Sequence, residues 1–292
     1  MLRSHFRAEL VLILVTILAA FGWIFSKETL AGLPPLLFMG VRFLVAGFIL
    51  LLAGRKYFVG LRFSDIKNAI LVGLVMGVAM MLWIVGLDHS TQLGVGAFIT
   101  SLGVILVPIM AKLLFGDRPG LPVWLSLPVA VIGLGLLALN DGLAFELSHL
   151  YFLVAAVTFA LQFNLLSRSS TRMHVLVLTS IQLISAGTLA FILSLFLETW
   201  PEVVSLPVFG WFLASTLIAT SLRFLLQTYG MSLTPASHAA VIMNLEPMWT
   251  AVFASFWFME TMALTQIVGC SLIFIAMLIS KWTQIRAVFT AS

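Results

Sequence analysis

Charge is what this sequence has least of. Only 9% of its 292 residues are Asp, Glu, Lys or Arg, while 62% are hydrophobic. Soluble domains carry about 25% charged residues, so the composition excludes a water-solvated globule and fits an integral membrane protein. The apolar stretches are continuous, without the alternating ~10-residue segments of a β-barrel, so the spans are helices. There is one cysteine, Cys270, which excludes an intrachain disulfide and a thiol-redox pair. No phosphate-binding glycine loop, zinc-ligand spacing, nucleophile elbow, paired catalytic carboxylates or carbonyl filter motif is present. Those absences argue against an ATP-driven pump, an enzyme, a metal or cofactor site, and an ion channel. A pI near 9.6 would by itself suggest a nucleic-acid partner. The distribution of the basic residues argues otherwise.

A spanning helix needs about 20 apolar residues. Polar, Pro and Gly punctuation divides the chain into ten such runs: Leu10 to Phe25, Pro34 to Ala53, Ala69 to Leu87, Thr91 to Phe115, Pro122 to Leu139, Leu150 to Leu166, Val175 to Leu197, Val208 to Gly230, Ala236 to Phe258 and Ala263 to Ser280. The first has the charged start of a signal peptide but no polar cleavage region, so it is expected to remain as a span. With the N-terminus inside, the cytoplasmic loops collect Arg3, Arg7, Arg55, Lys56, Arg62, Lys67, Lys112, Arg118, Arg168, Arg172, Lys281 and Arg286. Lys27 alone falls on the other side, with Glu28, Asp88, Asp141, Glu146, Glu198, Glu202 and Glu260. This asymmetry predicts both termini in the cytoplasm, and the inner (plasma) membrane is the expected location.

The second half of the sequence echoes the first. Ser26-Lys27 matches Ser167-Arg168, Val45-Ala46-Gly47 resembles Ser185-Ala186-Gly187, and Gly86 and Gly230 each close a span ahead of a helix containing Pro108 or Pro247. Five spans used twice, an odd number, require the second copy to be inverted. The expected architecture is therefore all-α: ten transmembrane helices as two inverted five-helix repeats, residues 1–142 and 143–292, around a central cavity. Inverted repeats recur in secondary transporters, whose halves rock around a midplane site.

Several of these motifs resemble one family. Ala20-Phe21-Gly22-Trp23, Leu33-Pro34-Pro35 with Arg42-Phe43, Ala219-Thr220 through Gln227-Thr228, Leu245-Glu246-Pro247 and Met259-Glu260 are similar to signatures of the EamA-type branch of the drug/metabolite transporter superfamily. The resemblance covers almost the whole chain. It implies ten helices in two inverted bundles and outward movement of metabolites, often amino acids, but not which solute.

Polar residues inside the spans mark the expected site, because an intramembrane charge costs about 2.5–3.5 kcal/mol on insertion scales. Thr216, Thr220, Arg223 and Gln227 recur at steps of four, three and four, a single stripe on a regular helix. Arg223 is a candidate anion contact or an ion-pair partner of Glu246. Asn244 and Glu246 are ~200° apart on a regular helix, so at most one faces the cavity, and Asn244 is the preferred liner. Glu246 then either braces the kink made by Pro247 or handles a proton or amine. His238 is a proton-carrier candidate or an interfacial histidine, and Arg42 a gate, second anion contact or packing residue. Trp23 and Asn164, equivalent in the repeat, are cavity-wall candidates. Gln162 and Asn164 cannot both line one cavity. Met76, Met80 and Trp83 follow helical spacing as an adaptable apolar wall or a packing seam. Gly73, Gly77, Gly96 and Gly103 read as close helix contacts, and Gln92 as a helix cap.

The resulting expectation is a secondary active transporter, an exporter, moving small metabolites such as amino acids by alternating access. It has protons as coupling candidates, membrane lipids around it and a monomeric or weakly dimeric state. The alternatives are a flippase for lipid-linked or amphipathic substrates, and a membrane scaffold or sensor without transport.

Overall fold

The computed structural model describes residues 2–116, 120–138, 146–170, 172–233, 242–243, 245–280 and 282. The expected site residues His238 and Asn244 lie outside that set. Within it the chain is helical: α1 Leu2–Leu30, α2 Pro35–Gly54, α3 Phe63–Asp88, α4 Leu93–Phe115, α5 Leu121–Ala138, α6 Leu147–Ser170, α7 Val175–Leu197, α8 Leu206–Leu233, α9 Glu246–Trp257 and α10 Leu264–Ser280. A 3₁₀ turn, Arg55–Tyr57, follows α2. Seven of these helices, α1 to α4 and α6 to α8, are long and apolar enough to cross a bilayer; α5 and α10 include shorter apolar helical stretches, and α9 has 12 residues. The apolar runs read from sequence underestimate α1, α3 and α6, whose ends continue into polar residues such as Lys27, Ser64 and Arg168.

Helices from the first part of the chain pack chiefly on helices from the second. α2 lies along α7, α5 along α10, α3 against α6 and α7, α4 against α6, and α1 against α8 and α9. Small residues permit the closest of these contacts, since without a Cβ two backbones can approach directly. A Cβ on Gly40 would fall 2.7 Å from the Phe191 backbone, and one on Gly187 would fall 2.7 Å from the Leu44 nitrogen. Gly73 and Gly77 meet Gln182 and Ala186 on α7, while Gly96 and Gly103 meet Phe152 and Ala156 on α6, as their spacing suggested.

Loop carboxylates join the same partners at the helix ends. Glu198, just after α7, accepts hydrogen bonds from the Leu36 and Leu37 amides at 2.7 and 2.8 Å. Glu260, between α9 and α10, accepts from the Leu93 and Gly94 amides at 2.9 and 3.4 Å. Each places negative charge on the positive end of a helix dipole and satisfies amides that have no partner within their helix. Burial pushes the Glu260 carboxyl above its ordinary range, with the two amides and the nearby Lys27 ammonium opposing. Gln92 was expected to cap α4. Its side chain instead accepts from Gln266 at 2.7 Å, and Glu260 does the capping. Lys27 donates to the Leu87 and Ser90 carbonyls at 2.9 and 2.8 Å, closing the C-terminal end of α3.

The α2–α7 seam leads to a direct test. Gly187→Val forces a side chain against Leu44 backbone and is expected to cost about 1–3 kcal/mol by overpacking. Gly210→Ala, on an open face of α8, is expected to gain about 0.5–1 kcal/mol. Thermal unfolding in detergent reads both, and equal melting temperatures for the two variants would refute the tight seam.

Candidate functional site

Halfway along α8 the helix widens. Residues Leu217–Leu222 form a π segment between α-helical arms Leu206–Thr216 and Arg223–Leu233. The hydroxyls of Thr220 and Ser221 donate to the carbonyls five residues back, Ser215 and Thr216, both at 2.9 Å, and the Arg223 amide reaches Ile218. A π turn takes up an extra residue, so positions on either side of it lose the 3.6-residue phase that relates them by number. The expected single stripe of Thr216, Thr220, Arg223 and Gln227 is accordingly split. Thr216 bonds its own helix at the Phe212 carbonyl, Thr220 turns toward α2, and Arg223 and Gln227 line a cavity.

That cavity, about 150 Å³, lies among α1, α2, α3, α4, α6, α8 and the start of α9. At its wall a terminal nitrogen of Arg223 lies 3.6 Å from Glu246 Oε2, and the Trp23 indole N–H donates to Glu246 Oε1 at 3.1 Å. Trp23 is held edge-on by Trp83 at 4.9 Å and flanked by Phe152 at 5.7 Å. Glu246 can reach this position because Pro247 sits in the first turn of α9, where a missing amide costs nothing. The Glu-Pro step therefore starts a helix, and the expected kink brace is corrected. Glu246 itself lines the cavity, while Asn244, the preferred liner, lies outside the described residues.

Arg42 is the second cation in the wall and only 4% exposed. Its guanidinium donates to Thr220 Oγ1, to Ser26 Oγ at 2.9 Å and to the Ala219 carbonyl at 3.5 Å, and lies over the rings of Phe38 and Phe43. No carboxylate pairs with it among the described residues. Arg223 Nε and Gln227 Oε1 are buried without a hydrogen-bond partner among the described residues, and Gln227 is 93% buried.

Of the residues expected from sequence, Trp23, Arg42, Met76, Met80, Trp83, Gln162, Arg223, Gln227 and Glu246 line this one space. Two do not. Thr220 spends its hydroxyl on Ser215 and Arg42, and the Asn164 amide donates to the Val107 and Ala160 carbonyls, both at 2.9 Å. Choosing between Gln162 and Asn164 was necessary, and the structure turns Gln162 inward. Sequence reasoning missed Thr100, Ser101, Phe159 and Phe163. Phe159, Gln162 and Phe163 share one face by ordinary i, i+3, i+4 spacing, a signal that could have found them. Thr100 and Ser101 satisfy their hydroxyls on the Gly96 and Phe98 carbonyls and carried no such signal.

Removing one partner of the ion pair strands the other. Glu246→Ala is expected to destabilise the protein by about 3 kcal/mol or less, since the cavity keeps some hydration, whereas Arg223→Met with Glu246→Met should recover most of that loss. Melting temperatures of the single and double variants measure it, and a double variant as unstable as Glu246→Ala would refute a coupled pair.

Comparison with known proteins agrees with this picture. A relative from Archaeoglobus fulgidus, described as an uncharacterized transporter, is 27% identical over 272 residues, covering 93% of this chain and 85% of its own. A second protein of the same description and organism is 26% identical over 200 residues, 67% of this chain and 69% of its own. A solved crystal structure superposes with a TM-score of 0.65 at 16% identity, covering 94% of this chain and 97% of that one, a likeness of fold alone. The profile of the EamA-like transporter family matches twice, over residues 6–139 and again over 147–282. Two matches that together take in nearly the whole sequence, on a multi-pass helical membrane protein, lead to one conclusion: this chain belongs to the EamA-like transporter family.

Proposed function

We propose that this transporter is a secondary active exporter of small metabolites such as amino acids, working by alternating access across the inner membrane with both termini in the cytoplasm. Its units are residues 1–142 and 143–292, each five helices, the second inverted relative to the first. The pattern of helix contacts supports this symmetry. Adding five to each helix number carries α2–α7 and α5–α10 onto themselves, α3–α6 onto α8–α1, α4–α6 onto α9–α1 and α3–α7 onto α8–α2. The doubled family match supports it independently.

The observation that carries the functional reading is the cavity between those units, with an ion pair in its wall. Charges retained in the interior of a membrane protein mark substrate and ion pathways. In this reading Arg223 attracts the anionic group of the cargo, while Gln227 and Gln162 offer hydrogen bonds. Met80, Trp83 and Trp23 present an apolar, adaptable wall to the rest of it. Glu246, bonded to both Arg223 and Trp23, is the group through which protons would couple to transport. The outer carboxylate caps Glu198 and Glu260 tie one unit to the helix ends of the other, contacts that rocking would have to release.

Counterflow in proteoliposomes with a panel of labelled metabolites tests the reading. Exchange of at least one small metabolite is expected, falling by about tenfold or more in Arg223→Ala. A pH gradient is expected to change the rate in wild type and not in Glu246→Gln. Absence of flux for every soluble cargo would sink transport, and full activity of Arg223→Ala would sink the anion contact.

A further inference from the structure

Among the described residues the cavity wall holds two guanidinium groups, Arg42 and Arg223, and one carboxylate, Glu246, a net charge of +1. Each of the other described acidic residues lies outside the lining. The acceptors around Arg42 are all neutral: two hydroxyls, a carbonyl and the Met39 thioether. Neutral acceptors satisfy N–H groups but leave the charge in place, and in a low-dielectric interior an unbalanced charge is costly. Arg42 and Arg223 line the same space, and Glu246 lies within ion-pair distance of Arg223. The site is thus short of one negative charge.

From this charge imbalance we propose that the cavity selects organic acids of net charge −1, with a neutral zwitterion or a cation disfavoured. The inference rests on the transport reading and narrows its cargo to one charge class. A zwitterion brings no net charge, so Arg42 would stay unbalanced after binding. A monoanion neutralises the cavity: its carboxylate bridges the region between Arg42 and Arg223. A volume of about 150 Å³ accommodates a ligand of a few carbon atoms, the scale of a hydroxy acid or an acidic amino acid. The aromatic and methionine wall then meets the carbon chain.

Two measurements separate this claim from the transport reading. In detergent, melting shifts are recorded with lactate, glutamate, leucine, lysine and succinate. In proteoliposomes, flux of the same labelled compounds is followed with and without an imposed potassium-diffusion potential. Wild type is expected to be protected by lactate or glutamate and to favour that compound over leucine and lysine by about tenfold or more. Arg42→Gln makes the cavity neutral and should move the preference to leucine, whereas Arg42→Lys should keep it on the monoanion. Glu246→Gln raises the cavity to two positive charges and should move the preference to succinate. The Lys and Glu246 variants keep the test decisive if Arg42→Gln does not fold. Leucine bound or moved in preference to both monoanions would overturn the proposal while leaving transport intact. So would unchanged charge preference in Arg42→Gln or in Glu246→Gln. Protection by a monoanion without any flux would uphold the charge class and overturn transport, and protection by none of the five would overturn the charge class itself.

Discussion

The interaction on which the site depends is the contact of Arg223 with Glu246 inside an apolar bundle. Neither group is tolerable there alone, and together they still require hydrogen bonds and some water. The surrounding sequence supplies both. Trp23 fixes one carboxylate oxygen, the cavity admits solvent, and the packing of α1, α8 and the start of α9 brings residues 223 apart in sequence into contact. Arg42 extends the same logic with a different solution. It is held by hydroxyls and aromatic faces, so its position is fixed while its charge is not cancelled.

Packing makes this arrangement possible at a distance from the charges. The tight α2–α7 and α3–α7 seams use glycines to bring backbones together, which fixes where Arg42 and Met76 project. At the helix ends, Glu198 and Glu260 cap helices that belong to the other part of the chain, so a loop residue secures a partner helix as well as its own. The polar chemistry of the molecule is concentrated in these two places, the middle and the ends. The remaining surface is apolar, with large side chains such as Phe196 and Leu206 about four-fifths exposed.

Much of this was legible in the sequence. Continuous apolar runs located the helices, and glycine spacing located the seams, because both follow from local periodicity. The intramembrane Arg223 and Glu246 pointed to the cavity they line, because charge in such a setting demands a reason. What failed were inferences that assumed an uninterrupted helix. Glu246 was read as bracing a kink at Pro247, a step that instead opens α9. Thr220 was aligned with Arg223 across a π turn. Asn164 was assigned to the wall because it matched Trp23 in the repeat, yet its amide is spent on the Val107 and Ala160 carbonyls. Long-range choices of this kind depend on which neighbour arrives, and periodicity does not contain that information.

The bulge in α8 has a consequence for how this helix tolerates change. Because the extra residue is absorbed within Leu217–Leu222, the arms on both sides keep their faces. A chain one residue shorter there would close into an ordinary helix with Arg223 and Gln227 still toward the hollow. It would forfeit the grip of Thr220 and Ala219 on Arg42. Length variation in this short stretch therefore loosens one cation while sparing the other, a way for related chains to retune the centre without rebuilding it.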